Sequence, residues 1–201
     1  PAFIGLPQDT QELAFDYPLA FFEEKVWTIP RPRPDRKAVA DAAALLKMAK
    51  TPLIIAGGGV RYSGAEAKVA RFAAERGIPV VETIAGKGGL THHHPVHAGP
   101  IGIIGSTSAN ALAAEADVIL AIGTRLQDFT TGSWTAFARG ARFISINAAR
   151  FDALKHRALA VVGDALEAVE ELDAALGKWK APADHLPRAK ALFKEWDALL
   201  D

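Results

Sequence analysis

Three glycines in a row, Gly57, Gly58 and Gly59, follow the apolar run "PLIIA" (52–56) and precede a segment of helical pattern. Glycines where a strand feeds a helix can let backbone N–H groups close around a phosphate, helped by the positive end of the helix. They can equally serve a tight turn that needs positive φ. The run "GGGVRYSG" has neither the G-x-G-x-x-G spacing nor the Gly-Lys-Ser/Thr of a P-loop, so both readings stay open. A nucleotide crevice here would draw on Gly57, Gly58, Gly59, Gly123 and Arg125.

Arg125 lies in "GTRLQDFTTGSW" (123–134), polar where a crevice loop should be. It could clamp a phosphate or stack on a flat ring, or simply pair with Asp128. "AGKGGL" (85–90) is a second glycine-rich loop, expected beside the same crevice. "THHHPVH" (91–97) invites a metal, but adjacent side chains diverge and no carboxylate is close in sequence. It is expected to be a solvated loop, with no metal bound. Lys155–His156 reads as solvated helix surface. The chain has no cysteine, which removes disulfides, thiolate nucleophiles and cysteine-ligated zinc. No serine–histidine–aspartate or paired-carboxylate pattern emerges, so no catalytic residue is assigned.

The elements that would hold these residues follow a strand–helix alternation. After the proline-spaced "IPRPRP" (29–34), Asp35 is the expected N-cap of a helix carrying Val39, Ala42, Ala43 and Leu46 on one face. Strands are expected at 52–56, 78–82, 96–99 (an edge), 117–123, 142–147 and 159–163. Helices are expected after Ser63 (capping box with Glu66), over 107–114, and after Asp164 (paired with Glu167). That pattern predicts an α/β, Rossmann-like, doubly wound sheet of about six parallel strands with helices on both faces.

The domain should span 35–177. Residues 1–34, with a short apolar strand in "PAFIGLPQDTQ", read as the end of another domain plus linker. Residues 178–201 read as linker and helix, whose apolar face (Ala191, Leu192, Trp196, Leu199) would need a surface elsewhere. The first residue, Pro1, fits a fragment.

Lysine plus arginine and aspartate plus glutamate both total 23, so nothing favours nucleic acid or an anionic membrane. No stretch reaches the roughly 18 apolar residues of a membrane span. A cysteine-free enzyme domain fits a cytoplasmic location.

"PLIIAGGGV", "AAERGIPVVETIAGKG", "HPVHAGPIG", "ANALAAEADVILAIGTRLQDFTTGSW" and "VGDA", in that order, resemble the central domain of thiamine-diphosphate-dependent enzymes of the acetolactate synthase type. "TRLQDFTTGSWTAF" with "VETIAGKG" looks closest to the branch that opens a cyclic 1,2-diketone by carbon–carbon hydrolysis in inositol catabolism. The resemblance implies a pyrimidine-binding domain before this one and a diphosphate-binding domain after it. Thiamine diphosphate and magnesium would be held by a glutamate and a Gly-Asp-Gly motif outside this chain, in a homodimer or tetramer. The chain alone would then be inactive.

The synthase branch carries FAD on this domain, another branch ADP, and many members nothing. Gly57–Gly59 match the family's glycine loop and Arg125 the arginine that meets FAD. The synthases, however, have Val-Arg-Phe-Asp-Asp where this sequence reads Thr124, Arg125, Leu126, Gln127, Asp128. The resemblance therefore favours a structural loop over bound FAD. A synthase- or decarboxylase-like carboligase with FAD is the alternative enzyme. A free-standing nucleotide-binding module, such as a sirtuin-like deacylase or a flavoprotein subunit, is the alternative of another class. The first of these is disfavoured because no cysteine–zinc ribbon can form.

Overall fold

A computed structural model describes residues 3–200 and divides into two compact units, one up to Pro30 and one from Arg31 onward. Among its described residues the first has as regular elements only a helical turn, α1 (Gln8–Gln11), and a 3-10 turn at Leu19–Phe21. The strand expected within 1–11 is not formed among its described residues (Pro1 and Ala2 lie outside them). A lone strand has no neighbour to satisfy its N–H and C=O groups, so the apolar run has no ladder to join.

The second unit holds the sheet. Its strands are β1 (Pro52–Ala56), β2 (Val80–Glu82), β3 (His97–Pro100), β4 (Val118–Ile122), β5 (Arg142–Asn147) and β6 (Leu159–Val162). All pair in parallel in the order β3-β2-β1-β4-β5-β6. This is the doubly wound arrangement, with β3 at one edge as expected and the strand order reversing between β1 and β4. β1 and β4 are buried along their whole length, which is why both read as unbroken apolar runs.

Helices cover both faces. On one, α2 (Arg36–Lys47), α4 (Glu66–Arg76) and α8 (Ala165–Leu176) enclose Leu46, Ile54, Phe72, Leu120 and Ile146, all fully buried. On the other, α5 (Thr107–Glu115) and α9 (His185–Asp197) cover Leu53, Ile55, Ile101 and Ile119. Each such side chain contributes roughly 1.5–3 kcal/mol on leaving water.

Two helix starts follow expectation. The Asp35 carboxylate accepts from Ala38 N–H at 2.9 Å, and Asp164 Oδ1 accepts from Leu166 N–H at 3.0 Å. Glu167 N–H also donates to Asp164 Oδ1 at 3.4 Å, but the reciprocal bond of the pair is absent, since Asp164 N–H donates to the Pro32 carbonyl and the Glu167 carboxylate meets Arg33 at 3.0 Å. The capping box at Ser63–Glu66 is overturned. The chain makes a short helix, α3 (Gly58–Tyr62), straight after the glycines, and Ser63 terminates it. α4 begins with Ala65 as its uncapped N-cap, and the Ser63 hydroxyl accepts from Ala165 N–H across the domain.

α4 and α8 are clamped by charge. Asp173 on α8 receives Lys68 Nζ at 2.9 Å and the Arg76 guanidinium, all three side chains 10–16% exposed. Burial alone would push the Asp173 carboxyl up. The hydrogen bonds from Arg76 and Lys68, and their charges, outweigh it and hold the group below its ordinary 3.8.

The compact unit extends past the expected 177 boundary. α9, expected to need a surface elsewhere, packs on this domain. Its inward residues are His185 and Ala189, with Leu192, Phe193 and Trp196 half-buried, whereas Ala191 and Leu199 face outward. The buried His185 Nε2–H donates to the Pro52 carbonyl at 2.8 Å, fixing the start of the helix against the start of β1.

Candidate functional site

The reversal of strand order between β1 and β4 is where an open α/β sheet usually binds a ligand, beyond the carboxyl ends of the strands. Gly57, Gly59 and Gly123 meet there. The Gly57 N–H donates to the Ile122 carbonyl and the Gly59 N–H to the Gly123 carbonyl, each at 2.9 Å. Gly123 N–H in turn donates to Ile146 O at 2.8 Å, so the exits of β1, β4 and β5 are stitched together by backbone. A Cβ on Gly59 would lie 2.6 Å from the Gly123 Cα, and one on Gly57 2.6 Å from Thr124 Cβ. Two of the loop's N–H groups are thereby engaged by carbonyls and are not directed at a cradled anion.

This also corrects the reason for the glycines. Gly57, Gly58 and Gly59 do not lie at positive φ; Gly57 sits at −105°. Gly123 alone of the crevice glycines does, at +59°. The run is glycine because two chain segments touch, not because it bends into the left-handed region. Gly86, in the second glycine-rich loop, joins the same contact, with a Cβ there reaching within 3.0 Å of Gly57 Cα.

Arg125 is exposed at the exit of β4 and lines an open cavity of about 410 Å³ with Gln127, Asp128, Trp134, Lys155 and His156. The expected Arg125–Asp128 pair is replaced. Asp128 accepts from the Ser133 hydroxyl at 2.9 Å, within the short helix α6 (Asp128–Thr131) and the turn after it. Lys155 pairs with Asp152 on α7 (Arg150–Ala153) rather than standing free. His156 is exposed as expected, but it departs from helical geometry. It sits at φ +58° with its ring 3.5 Å from that of Trp134, centroid to centroid. Partial desolvation, then the charge of Lys155, lower its pKa from the ordinary 6.5. Leu126, Ser133, Trp134 and Arg157 also have positive φ, so unfavourable backbone is concentrated around this cavity. The aromatic character of "GSWTAF" was the only local sign of it.

The histidine loop is solvated at Thr91, His92 and His93 as expected, but its last histidine is buried and two carboxylates distant in the chain meet it. Glu82, at the end of β2, is 2% exposed. Its Oε1 accepts from Leu90 N–H at 2.8 Å, and His97 Nε2 faces Oε2 at 3.3 Å. Burial favours the neutral acid, but the hydrogen bonds from His97 and Leu90 outweigh it and lower the Glu82 pKa. A charged residue ending the run "IPVVE" was the available signal. His97 Nδ1–H donates to the His92 carbonyl at 3.1 Å, which fixes the histidine turn. The carboxylate that the local sequence lacks comes from Asp197 of α9, 2.7 Å from His92 Nε2 and distant in the chain.

Comparison with known proteins places this geometry in a family. The family model for the thiamine pyrophosphate enzyme central domain matches residues 39–172. The chain belongs to that family. Among curated relatives, the 3D-(3,5/4)-trihydroxycyclohexane-1,2-dione hydrolase of Geobacillus thermodenitrificans is 43% identical over 176 residues. That alignment covers 88% of this chain and 27% of the relative. The proteins of the same name from Listeria innocua and Clostridium perfringens are 41% identical over 197 residues and 39% over 196. These cover 98% and 96% of this chain, and 30% and 31% of the relatives. The chain thus spans under a third of the length of these relatives.

The central domain does not itself offer a fit to magnesium and a diphosphate. Magnesium wants near-octahedral oxygen ligands. Among the described residues, the one close set of three metal-ligating groups is His92, His93 and Asp197, two of them imidazoles. No helix of the described residues is long and apolar enough to cross a membrane.

Proposed function

We propose that this chain is the central, scaffolding domain of a thiamine-diphosphate-dependent hydrolase that cleaves a carbon–carbon bond in a cyclic 1,2-diketone during inositol breakdown. The similarity to trihydroxycyclohexane-1,2-dione hydrolases over nearly the whole chain carries this reading. The domain holds the flanking pyrimidine and diphosphate domains in register within a homodimer or tetramer. Its own residues contribute no catalytic group, and thiamine diphosphate and magnesium are bound elsewhere in the parent protein. Gly57, Gly59 and Gly123 serve contact between backbones. The engagement of the Gly57 and Gly59 N–H groups by carbonyls supports that role.

The test uses the full-length parent supplied with thiamine diphosphate and magnesium. Ring opening of a trihydroxylated cyclohexane-1,2-dione is the expected result. Carboligation of pyruvate, with FAD retained through purification, would overturn it. The 201-residue chain alone should show no magnesium-dependent binding of thiamine diphosphate by calorimetry.

A nucleotide at the crevice is the second reading, favoured by one observation: exposed Arg125 beside the Trp134–His156 ring pair in an open cavity. In that case FAD or ADP should raise the melting temperature of the chain, and Arg125→Ala should abolish the rise while leaving the unliganded melt in place.

A further inference from the structure

We infer that His92, His93 and Asp197 form a binding site for a borderline divalent transition metal such as zinc, joining the histidine loop to the end of α9. One ligand atom from each lies within 4.8 Å of the other two. Zinc at about 2.0–2.2 Å from tetrahedral ligands holds neighbouring donors about 3.3–3.5 Å apart. His92 Nε2 and Asp197 Oδ1, at 2.7 Å, must therefore separate by less than an ångström (~0.6–0.8 Å), and His93, within 4.8 Å of both, must close by up to about 1.5 Å. His92 and His93 are exposed and Asp197 is partly so, leaving the rings room for that adjustment and the fourth position open to water.

The loop is arranged for this in a way that three consecutive histidines alone would not be. His94 has its Nδ1 accepting from Val96 N–H, so the first two histidines of the run do not compete with a third ring. His97 is held on Glu82 and the His92 carbonyl, and Glu82 also binds Leu90 N–H. Both buried groups thus fix the backbone on which His92 stands. Opposite, the Phe193 ring lies 5.3 Å from the ring of His92 and 5.2 Å from that of His97, an apolar wall on one side of both. Asp197 ends a helix anchored at its start by His185 and along its length by Ala189. Two imidazoles and one carboxylate suit zinc, cobalt or nickel far better than magnesium or calcium.

The test is titration of the tag-free, chelator-treated chain with zinc chloride, followed by calorimetry and thermal melts. One equivalent should bind, and zinc at about a hundredfold its Kd should raise the melting temperature by about 5–10 °C. Asp197→Asn and His93→Gln should each weaken binding at least about tenfold, whereas His94→Gln should leave it unchanged. Melts of the metal-free variants establish that each is folded. Magnesium should produce no shift. The inference is overturned if zinc near ~1 mM gives no saturable binding, if Asp197→Asn binds as the parent does, or if His94→Gln loses as much as His93→Gln.

Discussion

Substituting alanine at Gly59 separates a glycine loop used for contact from one used for phosphate. The added Cβ would stand 2.6 Å from Gly123 Cα and 3.0 Å from Gly123 O, both backbone atoms that cannot rotate away. Relief requires β1 and β4 to part at their exits, which also stretches the Gly59 N–H to Gly123 carbonyl bond. Overpacking of this kind costs about 1–3 kcal/mol, and a weakened buried hydrogen bond adds about 0.5–1.5 kcal/mol. Gly123→Ala meets the same contact from the other side, with its Cβ 2.6 Å from Gly59 Cα. It also holds φ at +59°, adding about 1–2 kcal/mol for an L side chain in the left-handed region.

Gly58→Ala is the internal control. Its nearest neighbours, Ala85 Cβ and O, stand at 3.3 Å, and it opens α3, where alanine is the better helix former. Urea unfolding of the three variants should therefore rank Gly123→Ala as most destabilised, then Gly59→Ala, with Gly58→Ala within about 1 kcal/mol of the parent. At about 2–4 °C per kcal/mol in a chain of this size, thermal melts resolve the order. A Gly59→Ala variant as stable as the parent, combined with a nucleotide-induced shift that it loses, would refute the reasoning and restore the phosphate-cradle reading.

Asp173→Asn should cost about 3–5 kcal/mol in urea unfolding, because it leaves Arg76 and Lys68 buried with no carboxylate. Since the folded Asp173 pKa lies below its ordinary 3.8, its contribution is fully present above that value. It fades as pH falls through the lowered pKa, so melts from pH 7 to 2 should show the parent losing stability in acid with a steeper slope than Asp173→Asn. Asp117, which accepts Lys50 and Thr51 N–H groups and is also lowered, should contribute in the same sense. His185→Ala should cost about 1–3 kcal/mol by stranding the Pro52 carbonyl, and limited proteolysis should then cut within α9 first.

The sheet was legible because burial on both faces leaves a direct imprint. β1 and β5 fall on the expected 52–56 and 142–147, since parallel strands read as apolar runs bounded by polar or glycine residues. β2 begins two residues later than expected, although Ile78 is buried and the Pro79 carbonyl already accepts from Ile54 N–H at 3.0 Å, because proline has no N–H to give to the ladder. What escaped was whatever depends on distance in the chain. The Ser63–Glu66 spacing is a proper capping signal locally, but Ser63 is claimed by α3 and by Ala165. Nothing near "THHHPVH" announces Asp197, which arrives only because α9 folds back onto the edge beside β3. On α9, Leu192 and Trp196 face the domain as expected, whereas Ala191 and Leu199 point outward and His185 and Ala189 take the most buried places. Its contact is built on small Ala189 and a hydrogen-bonding His185, neither of which advertises itself as core.

A glycine motif states only that something comes close; which thing it is depends on where the neighbouring N–H groups point. At a strand-order reversal two parallel strands diverge after their last ladder bond, and the opening between them is what a dinucleotide fills in a binding domain. Here the diverging chains meet again. Gly57 and Gly59 bond back to Ile122 and Gly123, and Gly86 brings the turn after β2 against Gly57. Five-residue α3, which would supply the positive end for a phosphate, aligns too few peptide dipoles to act as one, and its entrance faces backbone carbonyls. The same three-glycine sequence that would admit a ligand thus lets the protein fill the opening with itself. In this domain the exits of β1, β2 and β4 are therefore joined to one another by direct backbone contact.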